Sequence, residues 1–426
     1  MTLSDGQRGQ RSSGVVAPAD HVSLRRHNLA VVLRHIRDAG PRSRARIASD
    51  TGLNKATVSS LVAELVDRGL LREAEAERGA VGRPGQLVEL DGRRVCGVGA
   101  EVNVDYLAVT ALDLTGGVII ESRVPFDAAH LGSAATFDRL EGLIEEALQA
   151  IGTRGGQPVG VTLAVPGLVQ SAAGTLALAP NLGWEKVDVV QAMTERLGNP
   201  TYKVSVDNEA NLAALAAYAE IAAADPTAVR DLVLLTGAVG VGGGVVAGGQ
   251  LLRGGHGFSG EVGHIPVAPA GRRCGCGRTG CWETVIGLTA LLDKATEPDD
   301  PVRDVSLDVE QRLAEITRRA EAGDERTLAA LADVGTWLGL GGAILVNILN
   351  PDVLVLGGYF GALGPWLTAP LEEAIRDRVI APDGGGCRVL RSGLGFTAAV
   401  RGGAQISLDS VFDDPTQVPT QVGASA

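Results

Sequence analysis

The residues from Gly260 to Glu283 constrain this chain more than any others. His264 is followed by Cys274, Cys276 and Cys281, so three of the five cysteines fall within eight positions, spaced by Gly275, Gly277 and Gly280. A tetrahedral Zn²⁺ needs thiolates and imidazole to converge at about 2.0–2.3 Å, and glycines let a short backbone turn sharply enough to bring them there. Four protein ligands leave no open coordination position, so the expected ion is structural rather than catalytic. The competing readings are a disulfide and three buried free thiols. Cys274 and Cys276 are too close for a relaxed disulfide, and no signal-peptide pattern points to an oxidising compartment. Zn²⁺ is the expected cofactor, with Cys96 and Cys387 left as small apolar residues.

Charge is informative once it is divided along the chain. Residues 1–94 carry 16 Lys+Arg against 11 Asp+Glu, whereas the remainder carries 22 against 39. A small basic module that meets a polyanion, joined to a large acidic body that does not, accounts for that asymmetry. No run of 18 apolar residues occurs, since the longest, near Gly335 to Val346, stops at Asn347. A cytoplasmic protein with no membrane partner is expected.

Residues 1–22 lack an apolar period and read as a disordered tail. Within 23–92, Leu29, Val32, Leu33 and Ile36 recur at helical spacing before Gly40-Pro41. A second helix starts near Ser43 and runs to Gly52. Asn54 suits the cap of a third, in which Val58, Leu61, Val62 and Leu65 share a face. The opposite face presents Ala56, Ser60 and Ala63 with Ser59 at its edge, small and polar enough for a major groove. A strand, loop and strand from Arg72 to Leu90 complete a winged helix-turn-helix, with Gly82-Arg83-Pro84-Gly85 as wing tip. Arg83 suits a narrow minor groove, and Arg44, Arg46, Lys55 and Thr57 suit phosphates. Double-stranded operator DNA is the expected partner.

From 93 to 412 strands alternate with helices: Val95–Val98, Tyr106–Asp113, Gly117–Arg123, Val159–Val165, Val204–Val206, Leu232–Leu235 and Val353–Leu356 read as strands, and Phe137–Ile151 as a helix. The pattern predicts an α/β body of two lobes around a cleft. Residues 413–426 read as a flexible tail.

The run from Gly260 to Glu283 resembles the signature of the ROK family (repressors, open reading frames and sugar kinases). Val165-Pro166-Gly167, Pro180-Asn181-Leu182-Gly183-Trp184, Asp207 to Asn211, Thr236 to Gly244 and Val355 to Gly358 add to the likeness, which covers about residues 23–410. Gly287 departs from it, standing where the family usually has Ser. The resemblance implies a two-lobed actin-like, hexokinase-like fold, and implies Asn181, Asn208, Glu209, Glu261, His264 and Glu283 as sugar contacts. Carboxylates and amides suit vicinal hydroxyls, and His264 would serve metal and sugar at once.

The family has a kinase and a regulator branch. ROK kinases share an Asp-x-Gly-Gly-Thr phosphate turn, and the matching positions here are Glu101, Asn103, Val104 and Asp105, which crowd the turn and add negative charge. Their catalytic Asp matches Glu209, one methylene longer, and Asn208 to Asn211 resembles the xylose-repressor-like version. Gly240, Gly242, Gly243 and Gly244 read as a relic phosphate loop, with a tight hairpin as the alternative. The expectation is a non-enzymatic regulator with a monosaccharide effector, acting as a homodimer or homotetramer. The rivals are a sugar kinase carrying an accessory DNA-binding domain and a sugar-independent regulator whose body only dimerises.

Overall fold

The computed structural model describes residues 21–74, 86–225, 229–304 and 307–421. The first twenty residues and the expected wing tip, Gly82 to Gly85 with Arg83, lie outside these ranges. The head begins with α1 (His21–Ala39), which starts two residues before the expected boundary and buries Leu29, Val32, Leu33 and Ile36. After β1 (Arg42–Ser43) come α2 (Arg44–Thr51) and α3 (Lys55–Asp67). Ser43 accepts from the Arg46 amide and Asn54 from the Thr57 amide, each satisfying a first-turn N–H that the helix cannot. With β2 (Leu71–Glu73) and β3 (Leu87–Leu90), β1 makes an antiparallel sheet in the order β1-β3-β2, the winged arrangement expected.

The body contains one topology twice. In the first, smaller lobe β4 (Val95–Val102), β5 (Tyr106–Asp113) and β6 (Val118–Pro125) form an antiparallel meander. Then α4 (Ala128–Thr153) leads to β7 (Gln157–Val165). A small antiparallel sheet of β8 (Leu168–Gln170), β9 (Thr175–Ala179) and β10 (Trp184–Asp188) follows, and then α5 (Val189–Arg196) and β11 (Lys203–Asn208). The five main strands lie in the order β11-β7-β4-β5-β6, with β7 and β11 parallel to β4. After α6 (Glu209–Ala224) the same order returns. A meander of β12 (Leu232–Gly237), β13 (Val241–Ala247) and β14 (Gln250–Leu251) is extended in parallel by β15 (Val353–Gly357) and β16 (Arg388–Arg391). Between them come α7 (Glu283–Ile286), α8 (Leu288–Ala295), α9 (Val309–Glu321) and α10 (Glu325–Leu349). Two more helices, α11 (Gly358–Ala362) and α12 (Gly364–Arg378), precede β16, and α13 (Ala398–Asp413) closes the body.

Two helices join the lobes. α13 lies across β4, β5 and β7, α6 lies across β12 and β13, and the pair pack on each other. The contact is close because glycines line it. A Cβ at Gly99 would fall 1.8 Å from the Val400 carbonyl oxygen, and one at Gly402 2.0 Å from that of Leu212. Among the described residues only α10 is long and apolar enough to cross a membrane. It is a core helix, with Leu331, Val334, Leu338 and Val346 buried and the Trp282 indole donating to the Trp337 carbonyl.

The stretch expected to be a flexible tail is built in as far as Gln421. Pro415–Gln417 form a 3-10 turn, and Val418, only 1 % exposed, shares one core with Leu29, Leu33, Leu408, Val411 and Phe412. Arg68 donates to the carbonyls of Thr416 and Val418, while Arg34 pairs with Asp413 and Arg37 with Asp409. One apolar side chain and a few backbone acceptors, too sparse to make a period, hold this segment against the head.

Candidate functional site: a metal cluster, a cleft cavity and a DNA-facing helix

A 3-10 turn over Val262–His264 and a knot closed by the bridges Pro266–Cys281 and Arg273–Thr279 assemble the metal cluster. The knot needs Gly280: its φ is +74°, and a Cβ there would fall 1.8 Å from the Ala268 carbonyl oxygen. The ligand atoms of His264, Cys274, Cys276 and Cys281 all lie within 4.8 Å of one another. Cys276 and Cys281 have sulfurs 3.7 Å apart, and Cys274 Sγ is 3.7 Å from His264 Nδ1. Tetrahedral Zn–S bonds of about 2.3 Å require edges of about 3.8 Å, whereas a disulfide requires about 2.05 Å. The four residues can hold a metal such as zinc. Buried Trp282, next to Cys281, ties the knot to α10.

Beside the knot a cavity of about 330 Å³ opens at the C-terminal ends of β4, β7 and β11, where open α/β sheets receive ligands. Asn208, Glu209, Glu261 and His264 line it. Asn208 caps α6 with its Oδ1, while its Nδ2 donates to the Gly167 carbonyl and to Glu209 Oε2 at 2.8 Å. Its amide is therefore committed to holding Glu209. Burial first, then the charges of Glu261 and Glu101, push the Glu209 carboxyl up to about 8. Glu261 is also raised by burial, and its Oε2 faces His264 Nε2 at 3.8 Å, leaving Nδ1 toward the cysteines. Asn181 and Glu283 do not line the cavity. Both stand beside Gly240 in its wall, and Glu283 Oε1 accepts from the Cys274 thiol at 2.7 Å.

Glu101, Tyr106, Arg278 and Phe396 are among the lining residues that escaped the sequence reading as ligand contacts. Glu101 had a signal, being the one charged residue in the otherwise apolar β4. The glycine-rich stretch forms a hairpin, and Gly240, Gly242 and Gly243 line the cavity. Gly242 to Gly244 pair with Thr236 to Leu234 along β12, and Gly242 and Gly244 let β13 approach Ala210 and Ala214 of α6.

On the head, Lys55, Ala56, Ser59, Ser60 and Ala63 are exposed along α3, and Thr57 is half-buried. Arg44 pairs with Glu73 at 3.1 Å and Arg46 with Asp50 at 3.0 Å, so both guanidinium groups are engaged within the head. The sequence reading missed Arg25, which donates to Ser60 Oγ and Glu64 and brings a further cation to the same face.

The ROK family model matches residues 98–410. The chain belongs to the ROK family. The MarR family model matches residues 30–80 of the head. The xylose repressor of Caldicellulosiruptor bescii is 30% identical over 368 residues, covering 84% of this chain and 90% of that one. The DNA-binding transcriptional dual regulator NagC of Escherichia coli K12 is 27% identical, covering 88% and 90%. Among solved structures, a ROK family transcriptional regulator homologous to the E. coli MLC protein superposes with a TM-score of 0.71 at 25% identity, covering 92% of this chain and 97% of that one. A ROK family glucokinase from Streptomyces griseus shares the fold of the body, with a TM-score of 0.60, 24% identity and 73% of this chain covered.

Proposed function

We propose that this ROK-family chain is a cytoplasmic, sugar-responsive transcriptional repressor. Its head holds double-stranded operator DNA, and a monosaccharide or close derivative in the cleft releases it. The observation that carries this reading is the shared core. α1, which carries α2 and α3 on one side, packs on α13 with the other, and the residues that begin α13, Ala398 and Ala399, line the cavity. The names of the relatives, repressors of xylose and N-acetylglucosamine use, agree with it. Glu209, Glu261 and His264 make up the sugar site, with Asn208 acting through Glu209 and with Asn181 and Glu283 supporting the wall behind Gly240. Lys55 and Thr57, with Arg44 and Arg46, take phosphates, Arg83 enters the minor groove, and Ala56, Ser59 and Ser60 face the bases. A structural Zn²⁺ on His264, Cys274, Cys276 and Cys281 fixes the imidazole beside the sugar.

The chain works as a homodimer or homotetramer. Sugar closes the lobes, and closure alters the distance between paired heads, which must match whole turns of DNA. Phosphoryl transfer is not its chemistry. Asp105, in the turn after β4, is half-buried with Arg312 at 3.9 Å, and Glu209 sets its carboxyl about 1 Å beyond an aspartate's reach.

The test is fluorescence anisotropy of the zinc-loaded protein on its own upstream DNA, titrated at fixed salt with D-xylose, D-glucose and N-acetyl-D-glucosamine. A several-fold loss of affinity with one sugar is expected. Tight DNA binding unmoved by any sugar would favour a sugar-independent regulator, and ATP-dependent phosphorylation of a sugar would favour the kinase.

A further inference from the structure

We propose that Glu101 and Tyr106 form the small-lobe half of the effector site, and that this half selects an uncharged or cationic hydroxyl-rich ligand over a phosphorylated one. The inference rests on the sugar-responsive reading and narrows the class of effector.

Glu101 stands one residue before the end of β4, paired with Ala108 of β5 and Ala164 of β7, so its backbone is held among three strands. It is 2 % exposed and lines the cavity. Oε1 accepts from the Tyr106 hydroxyl at 2.7 Å and from Asn103 Nδ2 at 3.4 Å. Oε2 has no hydrogen-bond partner among the described residues. A buried carboxyl oxygen left unmet is destabilising unless something else donates to it. The cavity is where such a donor can arrive.

The surrounding charges define that donor. Glu101, Glu209 and Glu261 all contribute to the cavity wall. Arg123 lies behind Tyr106, 5.6 Å from the ring centroid, but its guanidinium is taken by Asp308 at 3.1 Å and Glu310 at 2.9 Å. The lining arginine, Arg278, is exposed at the rim. A phosphoryl group against Glu101 would meet carboxyls in a medium that screens them poorly. A hydroxyl or an ammonium would instead donate to Oε2. Burial pushes the Glu101 carboxyl up to about 7, and a hydroxyl or ammonium that donates to Oε2 favours its ionised form, whereas a phosphoryl group disfavours it. Glu101 and Tyr106 come from the small lobe and Glu261 and His264 from the large one, so such a ligand bridges the two.

The experiment is calorimetric titration of the full-length, zinc-loaded protein with whichever of D-xylose, D-glucose or N-acetyl-D-glucosamine shifts its DNA affinity, and with the phosphate ester of that sugar. Glu101→Gln and Tyr106→Phe are compared with the unsubstituted chain, and circular dichroism melts check that each is folded. The expected result is a Kd raised about tenfold or more by Glu101→Gln and a few-fold by Tyr106→Phe, with the phosphate ester binding far more weakly than the sugar. An unchanged Kd in folded Glu101→Gln, or tighter binding of the ester through Arg278, would overturn the proposal and leave the sugar-responsive reading standing. Silence of all three sugars on DNA would remove that reading first, and this one with it.

Discussion

Replacing Phe412 by alanine should separate the head from the body without unfolding either. Phe412 is 4 % exposed at the last turn of α13, inside the core shared with α1, and the Arg37 guanidinium sits 4.7 Å from its ring centroid. Truncating a buried phenylalanine costs about 3–5 kcal/mol, and losing a part-exposed cation–π contact adds about 0.5–1 kcal/mol. A sum of about 3.5–6 kcal/mol is a large share of the 5–15 kcal/mol by which domains are stable. It falls on the interface, because the head keeps its own packing of Leu29, Val32 and Leu33 against Val58, Leu61 and Leu65. All four tryptophans, Trp184, Trp282, Trp337 and Trp366, belong to the body, so their emission reports the body alone. Urea unfolding followed by tryptophan emission and by far-ultraviolet circular dichroism should be coincident in the unsubstituted chain. In Phe412→Ala an early dichroism phase should appear while the emission midpoint stays in place, and DNA should still bind but no longer answer to sugar. A single transition moved equally in both signals would refute the reasoning, since the end of α13 would then belong to the body's own cooperative unit.

Three further outcomes are expected. One zinc per chain should be found by atomic emission, and Cys276→Ser should release it and open Trp282 to iodide quenching; undiminished zinc in that variant would remove Cys276 from the ligand set. Stability should fall as pH rises from about 4.5, where an unfolded glutamate ionises, through about 8, where buried Glu209 does, because the folded state holds a proton that the unfolded state has released. Glu209→Gln should flatten that fall in thermal melts between pH 5 and 9, and an identical slope would contradict the assignment. Gly99→Ala should cost about 1–3 kcal/mol or more, read as a melting temperature lower by several degrees, because its Cβ would meet the backbone of Val400 and Ala404 rather than a yielding side chain.

The sequence disclosed what is local and hid what is assembled. His264 and its three cysteines lie within one loop, so their spacing alone announced a metal cluster. The periodicity of α1 and α3 and the caps Ser43 and Asn54 likewise made the helix-turn-helix legible. Glu101 could be seen as an odd charge in an apolar strand, but Glu209, whose carboxyl it shares a cavity with, lies far along the chain and meets it only through the sheet order. The partners of Arg44 and Arg46 were hidden for the same reason. Val418 stands among Pro, Thr and Gln, and a single apolar residue makes no pattern until the head covers it. The glycines of β13 left two readings open because a phosphate loop and a strand packed tightly on a helix both ask for the same missing Cβ.

The return of the chain end to the head bears on how such proteins can be recombined. Residues 23–92 look like a cassette that could be exchanged at a single junction before β4. Yet Arg34, Arg37 and Arg68 are matched to Asp413, Asp409 and the carbonyls of Thr416 and Val418, more than three hundred positions later. A chimera made by one crossover would graft a foreign surface onto half of its seat. A working hybrid needs two crossovers, one near residue 92 and another within α13, so that the beginning and the end of the chain travel together.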